Sequence, residues 1–253
     1  MIKNGILQVY DEGFIYRDIV KKSFINKIRG NKWKESLGIK VKNIDDIKVE
    51  LRNKNIFVIV QGEQVYVKLI EVPKVGRKKL YSVIKSELEY RFKNMDMDKI
   101  MFTYDVFKDN GKSLDVIVFC LNWDKDNAIE KCVKKGGSIK GIYPIQFCIL
   151  NNYKKLIREH EYIFTFLYEY KLYLLACVNG KILANSVIKS FDKDSIQENI
   201  DKFKENCEVN GIFKNLNNIF LLNLPYEDLI QKLSLKYNCS DLGTICKDKL
   251  EVI

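Results

Sequence analysis

Histidine and proline are nearly missing from this chain of 253 residues, which holds 1 His, 3 Pro and 13 Gly. So little Pro and Gly leaves no flexible or collagen-like linker. The lone His160 rules out a multi-histidine metal centre. It stands between Glu159 and Glu161 in a polar stretch and reads as a surface residue, not a base. Long apolar runs are missing too. Residues 56–60, 114–121 and 172–178 are the longest, far below the roughly 20 needed to span a bilayer. No charged-then-apolar leader pattern opens the sequence. The 7 cysteines, at 120, 132, 148, 177, 207, 239 and 246, include no Cys-x-x-Cys pair. An odd, scattered set argues against a disulfide framework and for a reducing compartment, so the expectation is a cytoplasmic protein.

Catalytic signatures are equally scarce. There is no Gly-x-Ser-x-Gly elbow. Gly111-Lys112-Ser113 ends like a phosphate-binding loop, but Val106 replaces the required first glycine, and the stretch joins two expected strands. The acidic pairs Asp45-Asp46 and Asp96/Asp98 read as solvated loops, the latter able to hold a cation weakly. No catalytic, cofactor or metal residue is assigned.

What the chain does have is positive charge: 43 Lys and Arg against 33 Asp and Glu, a net +10. Only six are Arg, the residue suited to bidentate phosphate recognition: Arg17, Arg29, Arg52, Arg77, Arg91 and Arg158. With no aromatic–basic motif, a nucleic-acid-binding domain is the weaker reading. An anionic membrane surface or an acidic partner fits the charge as well. At 47% hydrophobic and 30% charged, the chain is a folded globular protein.

Periodicity outlines the elements. Residues 5–10 and 14–20 form a hairpin across Asp11-Glu12-Gly13, and 44–51 has helical spacing. Residues 56–60 and 65–72 read as a hairpin across Gln61-Gly62, closed by Pro73. A helix over 78–93 carries the stripe Leu80, Ile84, Leu88. Strands at 101–107 and 114–121 meet at Asp109-Asn110-Gly111. Asp124 caps a helix, a short strand covers 139–142, and Pro144 opens another helix. After a polar boundary at 151–161, three strands follow at 162–168, 171–178 and 181–189, with Asn179-Gly180 as a type I′ turn. A helix over 194–209, a strand at 218–222 and a helix over 226–235 complete an α/β pattern with mixed sheets, repeated twice.

Residues 54–150 carry a resemblance. The run Asn55-Ile-Phe-Val-Ile-Val-Gln-Gly, then Val67-Lys-Leu-Ile-Glu-Val-Pro73, then the helix from Leu80 to Phe92, resembles the actin-like pilus assembly protein PilM family. Phe102-Thr-Tyr104-Asp-Val-Phe, Val116-Ile-Val-Phe-Cys and Ile142-Tyr-Pro144 continue the same order. The GspL cytoplasmic domain and FtsA share this architecture. The resemblance implies a duplicated, ribonuclease H-like actin fold. Its first half would be 1–155, with an inserted subdomain at about 54–107, and a shortened second half would be 156–253.

Nucleotide-binding members open each half with an Asp-x-Gly phosphate turn. The first would fall before or within residues 1–10, where none is found; at the second stands Glu169-Tyr170, and Leu222-Asn223-Leu224-Pro225 replaces a late Gly-Gly turn. Bulky residues there block the close backbone approach that glycine allows to phosphate. The expectation is a non-catalytic scaffold without cofactor, at the inner face of the membrane in a type IV pilus or type II secretion-like platform. The resemblance implies a PilN-like membrane-protein tail as partner, the assembly ATPase as a further one, and peripheral membrane association. The tail would lie in a groove between the inserted lobe and the first half, with Val65, Val67, Tyr81, Phe92 and Tyr104 lining it. A diverged actin-like ATPase of the same machinery is the alternative.

Overall fold

The computed structural model describes residues 3–19, 38–62, 65–93, 99–122, 126–209, 211, 213 and 216–245, the side chains of Asp126 and Asn127 excepted. The Asp124 cap, the Asp96/Asp98 pair and Cys246 lie outside the described residues.

The first sheet starts with β1 (Lys3–Tyr10), β2 (Gly13–Ile19), β3 (Ile39–Val41) and β4 (Lys54–Val60). A lobe follows, with β5 (Val65–Pro73), helix α1 (Arg77–Arg91), β6 (Ile100–Asp109) and β7 (Ser113–Asn122). Helix α2 (Asp126–Lys134), β8 (Ser138–Pro144) and α3 (Ile145–Tyr153) come next. The remainder is β9 (Glu161–Tyr168), β10 (Lys171–Val178), β11 (Lys181–Ile188), α4 (Ser195–Val209), β12 (Asn218–Leu222), α5 (Glu227–Ser234) and β13 (Asn238–Asp241).

Two five-stranded sheets have the same plan, β3-β2-β1-β4-β8 and β11-β10-β9-β12-β13. In each, the first three strands form an antiparallel meander and the last two lie parallel to the first. The repeat read from the sequence is therefore a repeat of topology. The Asn179-Gly180 turn has φ of 52° and 73°, the two left-handed positions that a type I′ turn requires. Strand β10 is buried at every position, Lys171 included, as the apolar run over residues 172–178 demands of a strand covered on both faces.

One expected hairpin does not form. β4 pairs in parallel with β1 and β8, and β5 pairs with β7. The short Gln61-Gly62 gap imitates a hairpin turn, but the run Ile56–Val60 is too uniformly apolar for an edge. It is satisfied only between two partners. Residues 54–60 thus belong to the five-stranded sheet, and the lobe's own sheet, β5-β7-β6, uses residues 65–122. The helix expected over 44–51 is a single 3-10 turn, Ile44–Asp46, capped by the Asn43 side chain. Beyond it the chain turns extended at Ile47, and Lys135 Nζ donates to the carbonyls of Ile44, Asp45 and Ile47 at 3.1, 2.8 and 3.2 Å.

In the lobe, α1 lays Leu80, Ile84 and Leu88 on Ile70, Val72, Val116, Val118 and Cys120. Burying each of these helix side chains contributes roughly 2 kcal/mol. Pro73 ends β5, and the helix stops at Phe92, whose N–H donates to the Leu88 carbonyl at 2.8 Å.

The chain divides into two compact units. One comprises Met1–Gly62, Lys125–Tyr153 and Cys246–Ile253; the other comprises Glu63–Asp124 and Lys154–Ile245. The lobe is thereby joined to the second sheet. Lys181 Nζ lies 2.7 Å from Asp105 Oδ2 and 3.2 Å from the Val106 carbonyl, and Asn185 Nδ2 donates to the Val65 carbonyl at 3.0 Å. Among the described residues, no helix is long and apolar enough to cross a membrane.

Candidate functional site

The five residues expected to line a partner site do not share one surface. In the three-stranded sheet, Val65 and Val67 pair with Leu121 and Phe119 and point away from the face that carries α1. Both are buried. Tyr104 pairs with Val118 and lies on the α1 face, half-buried beside the core. Phe92, at the end of α1, leans toward Tyr66 in β5, with ring centroids 6.2 Å apart. Tyr81 turns the other way and stacks on Phe102 in β6, with centroids at 4.6 Å and planes at 17°.

Tyr81 and Phe102 therefore form one aromatic pair, and Tyr104 lies two residues along β6 from Phe102 on the same face. Phe102 was not foreseen. The alternation Ile100, Phe102, Tyr104, Val106 placed it on the inward face of β6, and that signal was available in the sequence. Tyr81 stays 50% exposed, and Met101 and Val106 are exposed as well. β6 pairs only with β7 among the described residues, so its outer backbone edge is unpaired over residues 100–105. At Val106, Lys181 Nζ donates to the backbone carbonyl. Exposed aromatic faces beside an open strand edge suit an extended peptide, which gains backbone pairing from the edge and anchorage from the rings.

The turns expected to bear on nucleotide are also placed. The matching order of the two sheets makes the β1–β2 turn the counterpart of the β9–β10 turn. The first-half turn is thus Asp11-Glu12 followed by Gly13, an Asp-x-Gly sequence lying just after residues 1–10. This corrects the expectation that the first turn is lost. The second-half turn remains Glu169-Tyr170, with φ of 49° and 60° and Tyr170 96% exposed. At the end of β12, Asn223 also has a positive φ of 58°. Its Nδ2 donates to the Leu167 carbonyl at 2.8 Å, and its N–H donates to the Gly243 carbonyl. Leu224 beside it is buried.

Other chemistry is structural. Burial pushes the thiols of Cys120 and Cys132 up to about 11 and those of Cys148 and Cys207 up to about 12. Such thiols are inert fillers of the core. Lys54 Nζ, nearly buried, donates to Asp18 Oδ1 at 2.7 Å and to the Tyr16 hydroxyl at 3.1 Å; that hydroxyl donates to Asp18 at 2.6 Å. Burial raises the Asp18 carboxyl, but the bonds from Lys54 and Tyr16 outweigh it and hold it below its ordinary value. Burial, then Asp18, raises the Tyr16 phenol. Among the described residues no cluster of His, Cys, Asp and Glu has metal-binding geometry.

No family model and no curated protein matches the chain. Solved structures do. The chain is similar to a PilM-PilN type IV pilus biogenesis complex at a TM-score of 0.61 and 13% identity, covering 98% of this chain and 93% of that one. It is similar to the cytoplasmic domain of EpsL, an inner-membrane component of the type II secretion system of Vibrio cholerae, at 0.58 and 10%, covering 98% and 92%. A Bacteroides thetaiotaomicron protein with an actin-like ATPase fold and unknown function matches at 0.55 and 10%, again over 98% and 92%. The fold is actin-like over nearly the whole chain.

Proposed function

We propose that this chain is a non-catalytic actin-like scaffold in the inner-membrane assembly platform of a type IV pilus or type II secretion-like machine. It holds the cytoplasmic tail of a PilN-like membrane protein and presents it to the assembly ATPase. The observation that carries this reading is the end-to-end likeness to a chain of a PilM-PilN complex, with 93% of that chain covered. The lobe supports it independently, because its open β6 edge and the Tyr81–Phe102 pair form a receptor for an extended segment. The tail pairs with residues 100–105 and packs an apolar side chain against Tyr81. Co-purification from membranes tests this. Wild-type protein retains its membrane partner, and the Tyr81→Ala/Phe102→Ala double variant, folded by circular dichroism, releases it. Retention by the double variant rejects the lobe as the docking element.

A second reading, an actin-like ATPase, is favoured by one specific observation, the Asp11-Glu12-Gly13 turn at the position of a phosphate loop. Against it stand Glu169-Tyr170 and Asn223-Leu224 at the turns after β9 and β12. Side chains at these positions hinder the close backbone approach to phosphate that glycine allows. Calorimetric titration with ATP and Mg²⁺ separates the two readings. A scaffold of this kind gives no saturable heat; a micromolar affinity shows that the turns hold nucleotide, and phosphate release at a rate above background then establishes the ATPase.

A further inference from the structure

The charge on the lobe is distributed unevenly. Toward its C-terminal end, α1 balances its cations with carboxylates, through Lys85–Glu89 and Arg91–Glu87 pairs four residues apart. At its other end, balance is absent. Gly76 caps the helix without a side-chain bond, and no acidic residue stands in the first turn. Arg77, Lys78 and Lys79 occupy it instead, all exposed. Cations there oppose the helix dipole, which favours negative charge at that end.

Two further segments bring cations to the same tip. Lys74 lies at the end of β5, and its backbone N–H donates to the Lys112 carbonyl in the β6–β7 turn at 2.9 Å. Lys74 Nζ is paired with Asp109 at 2.6 Å, the one carboxylate of the group. Among the described residues, Arg77, Lys78, Lys79 and Lys112 meet no carboxylate. Five cations from three chain segments thus face solvent against one anion, and those in the first turn of α1 are unfavourably placed on the helix dipole.

We propose that this tip of the lobe, Lys74, Arg77, Lys78, Lys79 and Lys112, is a docking surface for the anionic headgroups of a phospholipid bilayer. Four of the five cations are Lys, compact charges on flexible stems that suit a fluid array of headgroups better than the fixed geometry of a bidentate site. The aromatic nearest the cluster, Tyr81, already has one ring face stacked on Phe102, and the five cations themselves include no run of aromatics of the kind single-stranded nucleic acid stacks on. Each basic residue near an anionic surface strengthens partitioning about fivefold, and the attraction fades within a Debye length of about 8 Å at physiological salt. Lipid contact is distinct from holding a tail, and it stands whether or not the tail is bound.

The test is flotation of the full chain, without any tail peptide, on vesicles of phosphatidylcholine alone or mixed with phosphatidylglycerol. Wild-type protein binds the mixed vesicles, does not bind the neutral ones, and is released by high salt. Arg77→Glu/Lys78→Glu/Lys79→Glu weakens binding by roughly a hundredfold or more. The charge-matched control Lys154→Glu/Lys155→Glu/Arg158→Glu, outside the lobe, retains most of it. If the first variant fails to fold, Arg77→Gln/Lys78→Gln/Lys79→Gln replaces it, with a loss of at least tenfold expected. Equal binding to neutral vesicles, an equal loss in the control, or unchanged binding in the lobe variants overturns the proposal. Tighter binding to a duplex oligonucleotide than to the anionic vesicles also overturns it.

Discussion

Tyr81 and Phe102 stack nearly parallel, 4.6 Å between ring centroids, and join the helix of the lobe to its edge strand while half of Tyr81 stays in solvent. An aromatic pair contributes about 0.5–1.5 kcal/mol beyond its buried area. Chemical denaturation of Tyr81→Ala, Phe102→Ala and the double variant is expected to give a coupling in that range. A coupling of zero means the rings merely touch.

The Asp18–Lys54–Tyr16 cluster predicts a pH dependence. Lys54 is nearly buried, and Asp18 is held below its ordinary value. A depressed carboxyl contributes stability above its unfolded value and loses it as pH falls through the folded one. Asp18→Asn is therefore expected to cost about 1–3 kcal/mol at neutral pH. The gap between the two proteins should close below about pH 4 as the native carboxyl protonates. Urea unfolding across that range measures it; a gap independent of pH shows that the charge of Asp18 is not what stabilises.

Glu169 and Tyr170 both hold left-handed backbone, φ 49° and 60°, in the two-residue turn between β9 and β10. Side chains there cost about 1–2 kcal/mol per residue relative to ordinary conformations. Replacing the pair with Asn-Gly, the sequence the β10–β11 turn already uses, is expected to raise stability by up to about 2 kcal/mol. A fall in stability means that the Glu169 or Tyr170 side chain contributes an offsetting contact.

Gly62 is required by space. A Cβ there would lie 1.7 Å from Gln146 Oε1, and Gln146 is fully buried with Nε2 donating to the Gly62 carbonyl at 3.2 Å. Gly62→Ala is expected to destabilise by about 1–3 kcal/mol. Adding Gln146→Ala should recover part of that loss. Thermal denaturation of both variants checks it, and no recovery in the double variant assigns the effect to the backbone.

Local periodicity made most elements legible. The stripe Leu80, Ile84, Leu88 lies on the lobe core as its spacing demands, and Asn179-Gly180 turns as its chemistry demands. Strand pairing was not legible. An apolar run such as Ile56–Val60 shows that a strand is buried, not which neighbours bury it, and a nearby Gly-containing gap then suggested the wrong partner. The same limit misplaced the first phosphate-type turn, because only the matching order of the two sheets makes Asp11-Glu12-Gly13 the counterpart of Glu169-Tyr170. At the candidate site, Tyr81 was legible as lying off the helix stripe. Val65 and Val67 were not separable from Tyr104, because which face of a strand is covered depends on what packs on it. β13, with the polar sequence Asn-Cys-Ser-Asp, gave no strand signal; its backbone bonds to β12 define it.

The most direct measurement is calorimetric titration of the full chain with a synthetic peptide of the cytoplasmic tail of the proposed partner, a PilN-like membrane protein from the same organism. Wild-type protein is expected to bind one peptide per chain with micromolar or tighter affinity. Tyr81→Ala should weaken that affinity by about tenfold or more while remaining folded at the titration temperature, with no more loss of stability than the lost stack on Phe102 accounts for. No binding by wild-type protein, or equal affinity in a stable Tyr81→Ala variant, contradicts the assignment of the lobe as the tail receptor.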